Sequence, residues 1–141
     1  GVDEVNPYDL SLSERKLISI ASILAMDPPI LIFDEPTMGQ DYEGKMLLKA
    51  IIQSEQKRGK LILCMLHDMD FAADVFERII VMNQGKVVLD GPSREVFSNR
   101  IILEQAFLEQ PHSTQIANAM GIKGTFLNDE ELIEAISAQD N

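Results

Sequence analysis

Cysteine occurs once in this sequence, at Cys64, so no internal disulfide can form. It lies inside the apolar run 61–66, and an inert buried thiol in a reducing cytosol is the expectation. Basic residues are scarce: 12 Lys and Arg stand against 23 Asp and Glu, giving a formal net charge of −11 and a pI near 4.5. Phosphate backbones are bound through stripes of Lys and Arg, so nucleic acid is excluded as the main partner. No run of 18 or more apolar residues exists, which excludes a membrane-spanning helix. The start has no signal-peptide pattern, and internal repeats and low-complexity segments are absent. What remains is ordinary for one globular domain, 141 residues and 45% apolar, long enough for a substantial core.

The most informative stretch is Ile30-Leu31-Ile32-Phe33-Asp34-Glu35-Pro36-Thr37. Consecutive apolar residues predict a strand buried on both faces, as in a parallel sheet under helices. Pro36 cannot donate to a ladder and stops it. Ligands of open α/β sheets sit at the carboxyl ends of strands, so Asp34 and Glu35 face a candidate site. Asp34 is placed to hold Mg²⁺ through water, and Glu35 to orient and deprotonate a water attacking a phosphoryl group. The plainer alternative, a buried strand meeting a solvated acidic turn, fits these residues taken alone.

The flanks supply the context. Residues 1–9 are polar and contain Asn6-Pro7, a turn signal. Ser11 followed by Glu14 predicts a capping box opening a helix with Leu17, Ile20, Ala21 and Leu24 on one face. The unpaired amides at that end make it a plausible anion site, and Asp27-Pro28-Pro29 ends the helix. After the strand, a helix over 42–57 carries Leu47, Leu48, Ile51 and Ile52 on its apolar side and closes at Arg58-Gly59. A second buried strand over 60–66 ends at His67-Asp68, and a helix through Phe71, Ala72, Val75 and Phe76 follows. This alternation indicates an α/β layer with a parallel sheet. An antiparallel hairpin is predicted over 78–90 with its turn at Asn83-Gln84-Gly85. A short helix near 93–97 follows, then a helical, more polar tail over 99–141 with a capped, acidic helix start at Asn128.

These segments in this order resemble an ATP-binding-cassette (ABC) ATPase over residues 5–98, about two-thirds of the chain. The string LSLSERKLISIASILAMDPPILIFDEPT, Leu10 to Thr37, is similar to the family's signature helix and Walker B strand. Met38 to Asp41 resembles the D-loop, His67 the switch histidine, and Gly85 to Gly91 the hairpin that follows. The Asn-Pro-Tyr-Asp-Leu-Ser-Leu-Ser-Glu lead-in and the Gly-Gln-Asp D-loop look most like ATPase subunits of energy-coupling-factor importers. The implied fold is part of a P-loop NTPase fold, a parallel sheet with helices, then a β-hairpin and a helical carboxyl-terminal tail. The implied domains are a carboxyl half-cassette over 1–98 and an extension over 99–141.

The resemblance further implies ATP as substrate and Mg²⁺ as cofactor, with Asp34 the metal-associated acid, Glu35 the general base and His67 a γ-phosphate contact. Ser11, Leu12, Ser13 and Glu14 would face nucleotide held by a partner ATPase subunit or cassette, and Asp41 would act across that dimer interface. The membrane subunits of an importer would be the other partners, placing the protein at the cytoplasmic face of the membrane. A non-transport ABC ATPase and a non-catalytic interaction module are the competing classes.

Two features depart from the family pattern. Leu12 and Ser13 stand where the signature has two glycines, and Glu14 replaces a glutamine, a change suited to a helix start and expected to matter less. A G-x-x-x-x-G-K-[ST] phosphate loop is also missing. Gly39-Gln40-Asp41-Tyr42-Glu43-Gly44-Lys45 nearly fits, but Asp41 and Glu43 put negative charge into the cradle and Met46 replaces the metal-binding hydroxyl. The phosphate loop, glutamine loop and adenine-stacking aromatic are therefore expected upstream of residue 1, and the fragment alone is expected to be inactive.

Overall fold

The computed structural model describes residues 6–139, so the first five residues of the polar lead-in lie outside the described residues. The chain divides into two compact units, the first ending at Leu66 and the second beginning at His67.

In the first unit, a 3-10 turn over Pro7–Asp9 leads to helix α1, Leu12–Leu24, and then strand β1, Ile30–Asp34. Helix α2, Tyr42–Lys57, and strand β2, Leu61–Met65, complete it. The two strands pair in parallel, Ile30 beside Leu61 through Asp34 beside Met65. Leu48 and Ile52 of α2 are fully buried, and Leu10, Ile20 and Leu31 nearly so; full burial of such a side chain stabilises by about 1.5–3 kcal/mol. Leu17, Leu24 and Ile51 are half-buried. Ala21 and Leu47, expected on the apolar faces, are exposed instead.

The strands differ from expectation too. Only one face is packed, with Leu31 buried and Phe33, Ile62 and Cys64 half-buried. The other face carries Ile30, Ile32, Leu61, Leu63 and Met65, each between 48% and 66% exposed. An unbroken apolar run gives both faces of a strand the same composition, so it does not say which face this chain covers itself.

A four-residue ionic network ties the unit's turns together. Lys60 Nζ lies 2.5 Å from Glu55 Oε2 and 2.6 Å from Asp27 Oδ1. Arg58 completes the set, 2.9 Å from Glu55 and 2.7 Å from Asp27. It joins the end of α2 and the start of β2 to the turn before β1, where Asp27 holds φ at 50°.

The second unit begins with helix α3, Met69–Val75, and the antiparallel hairpin of β3, Arg78–Asn83, and β4, Lys86–Pro92. Gln84 and Gly85 have φ of 48° and 73°, the left-handed pair that a two-residue hairpin turn demands. Helices α4 (Ser93–Ser98), α5 (Arg100–Gln105), α6 (His112–Ala119) and α7 (Asp129–Gln139) follow. The tail bonds back to α4. Arg94 pairs with Glu131 at 2.7 Å, and buried Gln110 donates to the Phe97 carbonyl at 2.7 Å. As expected, Asn128 caps α7, accepting from the Glu131 amide at 3.1 Å.

Candidate active site

The site grows from the end of β1. Asp34 is the last residue of the strand and is exposed. Glu35 continues the ladder through its N–H, which donates to the Met65 carbonyl at 3.1 Å, and then breaks from it with φ of 45°. That left-handed conformation costs a non-glycine residue roughly 1–2 kcal/mol. A β-turn follows in which the Met38 amide donates to the Glu35 carbonyl at 3.2 Å. Pro36 sits at the second position, which its fixed φ favours, and both Pro36 and Thr37 are buried. A second turn, Gln40 N–H to Thr37 carbonyl at 3.1 Å, places Gly39 at φ of 74°.

The start of α1 lies against this double turn. Ser11 and Glu14 form a complete capping box. The Glu14 amide donates to Ser11 Oγ at 3.2 Å, while Glu14 Oε2 accepts from the Ser11 amide at 2.8 Å and its hydroxyl at 2.7 Å. The hydroxyl, and after it the amide, hold the Glu14 carboxyl below the usual carboxylate range. Glu14 therefore bears on the site more directly than its helix-start role suggested, because it occupies the Ser11 donors with a negative charge. Leu12 and Ser13 face the second turn. A Cβ on Gly39 would stand 2.7 Å from Leu12 Cδ2, and Ser13 Oγ donates to Gln40 Oε1 at 2.5 Å.

Asp41 caps α2, its Oδ1 accepting from the Gly44 amide at 2.8 Å. Gly44 is buried, and a Cβ there would meet Gln40 Oε1 at 2.1 Å and Ser13 Oγ at 2.8 Å. In the Gly39–Lys45 string, an amide that a phosphate would need is thus already held by the chain's own carboxylate, and side chains crowd the glycine. The geometry does not fit a nucleotide cradle.

Within the first unit, then, Leu12 and Ser13 lie against Gly39 and Gln40 of the turn that joins Glu35 to Asp41, while Ser11 and Glu14 bond to each other at the start of α1. His67 follows β2, is exposed, and opens the second unit. Burial first, and the Glu35 charge second, push the Cys64 thiol up to about 12, in keeping with the inert thiol expected. Among the described residues no three His, Cys, Asp or Glu side chains gather as a metal site. The residues present fit Mg²⁺ only as a shared ion to which Asp34 adds one exposed carboxylate. One participant was not found from sequence. Lys16 Nζ donates to the Glu35 carbonyl at 2.6 Å and the Met38 carbonyl at 3.0 Å. A lysine beside an arginine in a helix's second turn carries no signal that separates it from surface charge.

No family model matches the chain. Curated relatives do. It is 35% identical over 136 residues to the energy-coupling factor transporter ATP-binding protein EcfA2 of Streptococcus agalactiae serotype Ia, covering 93% of this chain and 49% of that protein. It is 37% identical to EcfA2 of Clostridium perfringens, covering 89% of this chain and 44% of the relative. The chain thus spans about half the length of these relatives. Among solved structures, cbiO1 from Clostridium perfringens, part of the ABC transporter complex cbiONQ, superposes with a TM-score of 0.61 at 31% identity, over 82% of this chain and 45% of that one. An ATP-binding cassette of an ABC transporter in its ADP conformation matches in fold, with a TM-score of 0.60 at 21% identity, over 70% of this chain and 39% of that one. By sequence and by fold, this chain is a homologue of ABC transporter ATP-binding proteins, energy-coupling-factor ATPases among them, and carries the α/β fold of their ATPase cassettes.

Proposed function

We propose that this chain is the carboxyl half of the ATP-hydrolysing subunit of an energy-coupling-factor-type importer, and that it works only with the remainder of its cassette. The observation that carries this reading is the acid pair at the end of β1, where Glu35 is held in a left-handed turn directly after the exposed Asp34. Glu35 would orient the attacking water and accept its proton. Asp34 would share in holding Mg²⁺, which when bound offsets phosphate charge. His67 would contact the γ-phosphate. Ser11, Leu12, Ser13 and Glu14 would face nucleotide on a partner ATPase, and Asp41 would act at the same interface.

The phosphate cradle would come from chain outside these residues, and the open apolar face of β1 and β2 would be buried beneath it. No helix among the described residues is long and apolar enough to cross a membrane. The relatives' place in membrane transporters supports attachment at the cytoplasmic face through transmembrane partner subunits. The residues 1–141 alone would not turn ATP over.

The test is Glu35→Gln in the full-length ATPase. The amide is nearly isosteric but accepts no proton, so turnover should fall about 10²–10⁴-fold while nucleotide binding persists. Turnover within a few-fold of the parent would remove Glu35 from the role of base.

A further inference from the structure

Glu35 is unusual in needing its backbone held, and the holding groups come from different parts of the fold. Its N–H is fixed by the Met65 carbonyl of β2, and its carbonyl accepts the Met38 amide from its own turn. The third bond, from Lys16 Nζ at 2.6 Å, is the shortest of the three and comes from α1. The same ammonium reaches the Met38 carbonyl at 3.0 Å and so spans the turn from its first residue to its last. Lys16 is half-buried, and a charge-assisted hydrogen bond is shorter and stronger than a neutral one.

This arrangement links two jobs that the reading above assigns to different nucleotides. The start of α1 faces nucleotide on the partner ATPase, whereas Glu35 serves the nucleotide of its own cassette. Lys16 lies in α1 five residues past its cap Ser11, about 7.5 Å along the axis at 1.5 Å per residue. A shift of α1 toward the partner's nucleotide would therefore pull on the Glu35 carbonyl through this bond. We propose that Lys16 is a positioning residue for Glu35, holding its left-handed backbone and conveying the position of the signature helix to it. The proposal rests on Glu35 being the base, and it adds a residue and a route of coupling to that reading.

The test uses the full-length ATPase assembled with its partner, comparing Lys16→Met, Lys16→Arg and Lys16→Gln. Turnover is expressed per nucleotide-binding site, so that misfolded protein does not count. Lys16→Met keeps the length of the side chain and loses the ammonium. Its kcat should fall about tenfold to a hundredfold, the scale of a misplaced catalytic group, with the KM for ATP within about threefold. Lys16→Arg, which keeps charge and donors, should recover most of the rate, and Lys16→Gln should fall between. Combined with Glu35→Gln, Lys16→Met should add no further loss, because it acts through that carboxylate. If Glu35→Gln abolishes turnover and Lys16→Met leaves kcat within twofold, the positioning role is wrong while the base stands. A loss seen only in the number of nucleotide sites, or only in KM, also overturns it. Normal turnover in Glu35→Gln removes the base itself and is read independently of Lys16.

Discussion

Asp41 accepts the Gly44 amide at 2.8 Å and so closes the amino-terminal end of α2 with the chain's own carboxylate. This answers the near-match to a phosphate loop over Gly39–Lys45. A phosphate arriving there would meet a negative group already on an amide it requires, and Gln40 packed against the glycine. Isothermal calorimetry on residues 1–141 should detect no micromolar binding of Mg-ATP. Asp41→Ala should not create it, and should destabilise the first unit by about 0.5–2 kcal/mol through loss of the cap. Micromolar affinity in either protein would restore the string as a cradle.

What the sequence disclosed and what it hid divide by range. The capping box of Ser11 and Glu14, the cap at Asn128 and the turn at Gln84-Gly85 depend on neighbours a few residues apart, and the local pattern contains them. The place of Asp34 and Glu35 at the carboxyl end of β1 was legible because the apolar run stops at them and Pro36 cannot continue a ladder. Lys16 bonding Glu35 and Ser13 bonding Gln40 join residues 19 and 27 positions apart. No periodicity records such contacts. The open face of β1 was hidden for another reason: an apolar run states what a strand can bury, not what the chain at hand puts over it.

The ionic network of Asp27, Glu55, Arg58 and Lys60 makes the first unit's stability depend on pH in a defined sense. Asp27 and Glu55 are both held below the usual carboxylate range, in each case first by the hydrogen bond from Lys60. A carboxyl depressed on folding contributes stability above its unfolded value of about 4, and that contribution is lost as pH falls through the folded value. Lys60 is raised, first by Asp27 and then by Glu55, so its share is complete below its ordinary value and lost as pH rises through the raised one. Glu55→Gln should therefore melt below the parent at pH 7, with the gap closing below about pH 4. Thermal melts of both proteins from pH 7 down to pH 3 measure it. A gap independent of pH would mean that packing, not charge, explains the loss.

The open face of β1 and β2 gives a prediction about behaviour in isolation. Ile30, Ile32, Leu61, Leu63 and Met65 form one apolar patch by register, and such patches associate or bind hydrophobic probes. Residues 1–141 should brighten an anilinonaphthalene dye and self-associate at micromolar concentration. Ile32→Ser with Leu63→Ser should reduce both without lowering the melting temperature, since neither side chain is buried here. The same pair in the full-length ATPase should destabilise it by about 2 kcal/mol or more, because there the face would be covered. Equal tolerance in both settings would mean that nothing covers this face.

The last prediction concerns unequal sites. In the proposed dimer, Glu35 and His67 serve this half's own nucleotide, while Ser11 to Glu14 complete the partner's. Three features of this signature oppose a tight approach of phosphate. Leu12 and Ser13 add side chains where glycines would let the backbone come close, and the Glu14 carboxylate holds both the Ser11 amide and its hydroxyl. The third is the strongest on physical grounds, since a like charge at the point of contact repels and must also be displaced from two bonds. The site completed by this signature should therefore be the slower, and the working assembly should pair this half with a better signature. Glu14→Gln keeps the capping geometry and removes the charge, so it should raise turnover at the partner's nucleotide several-fold. Leu12→Gly with Ser13→Gly should add to that gain at the partner's nucleotide, but at a cost to this half's own site through loss of the Ser13–Gln40 bond. Steady-state hydrolysis by the assembled transporter, measured with the partner's catalytic glutamate intact and then replaced by glutamine, separates the two sites. A gain from Glu14→Gln that disappears in the second background supports the asymmetry. An unchanged rate in both would show that the carboxylate does not stand in the way.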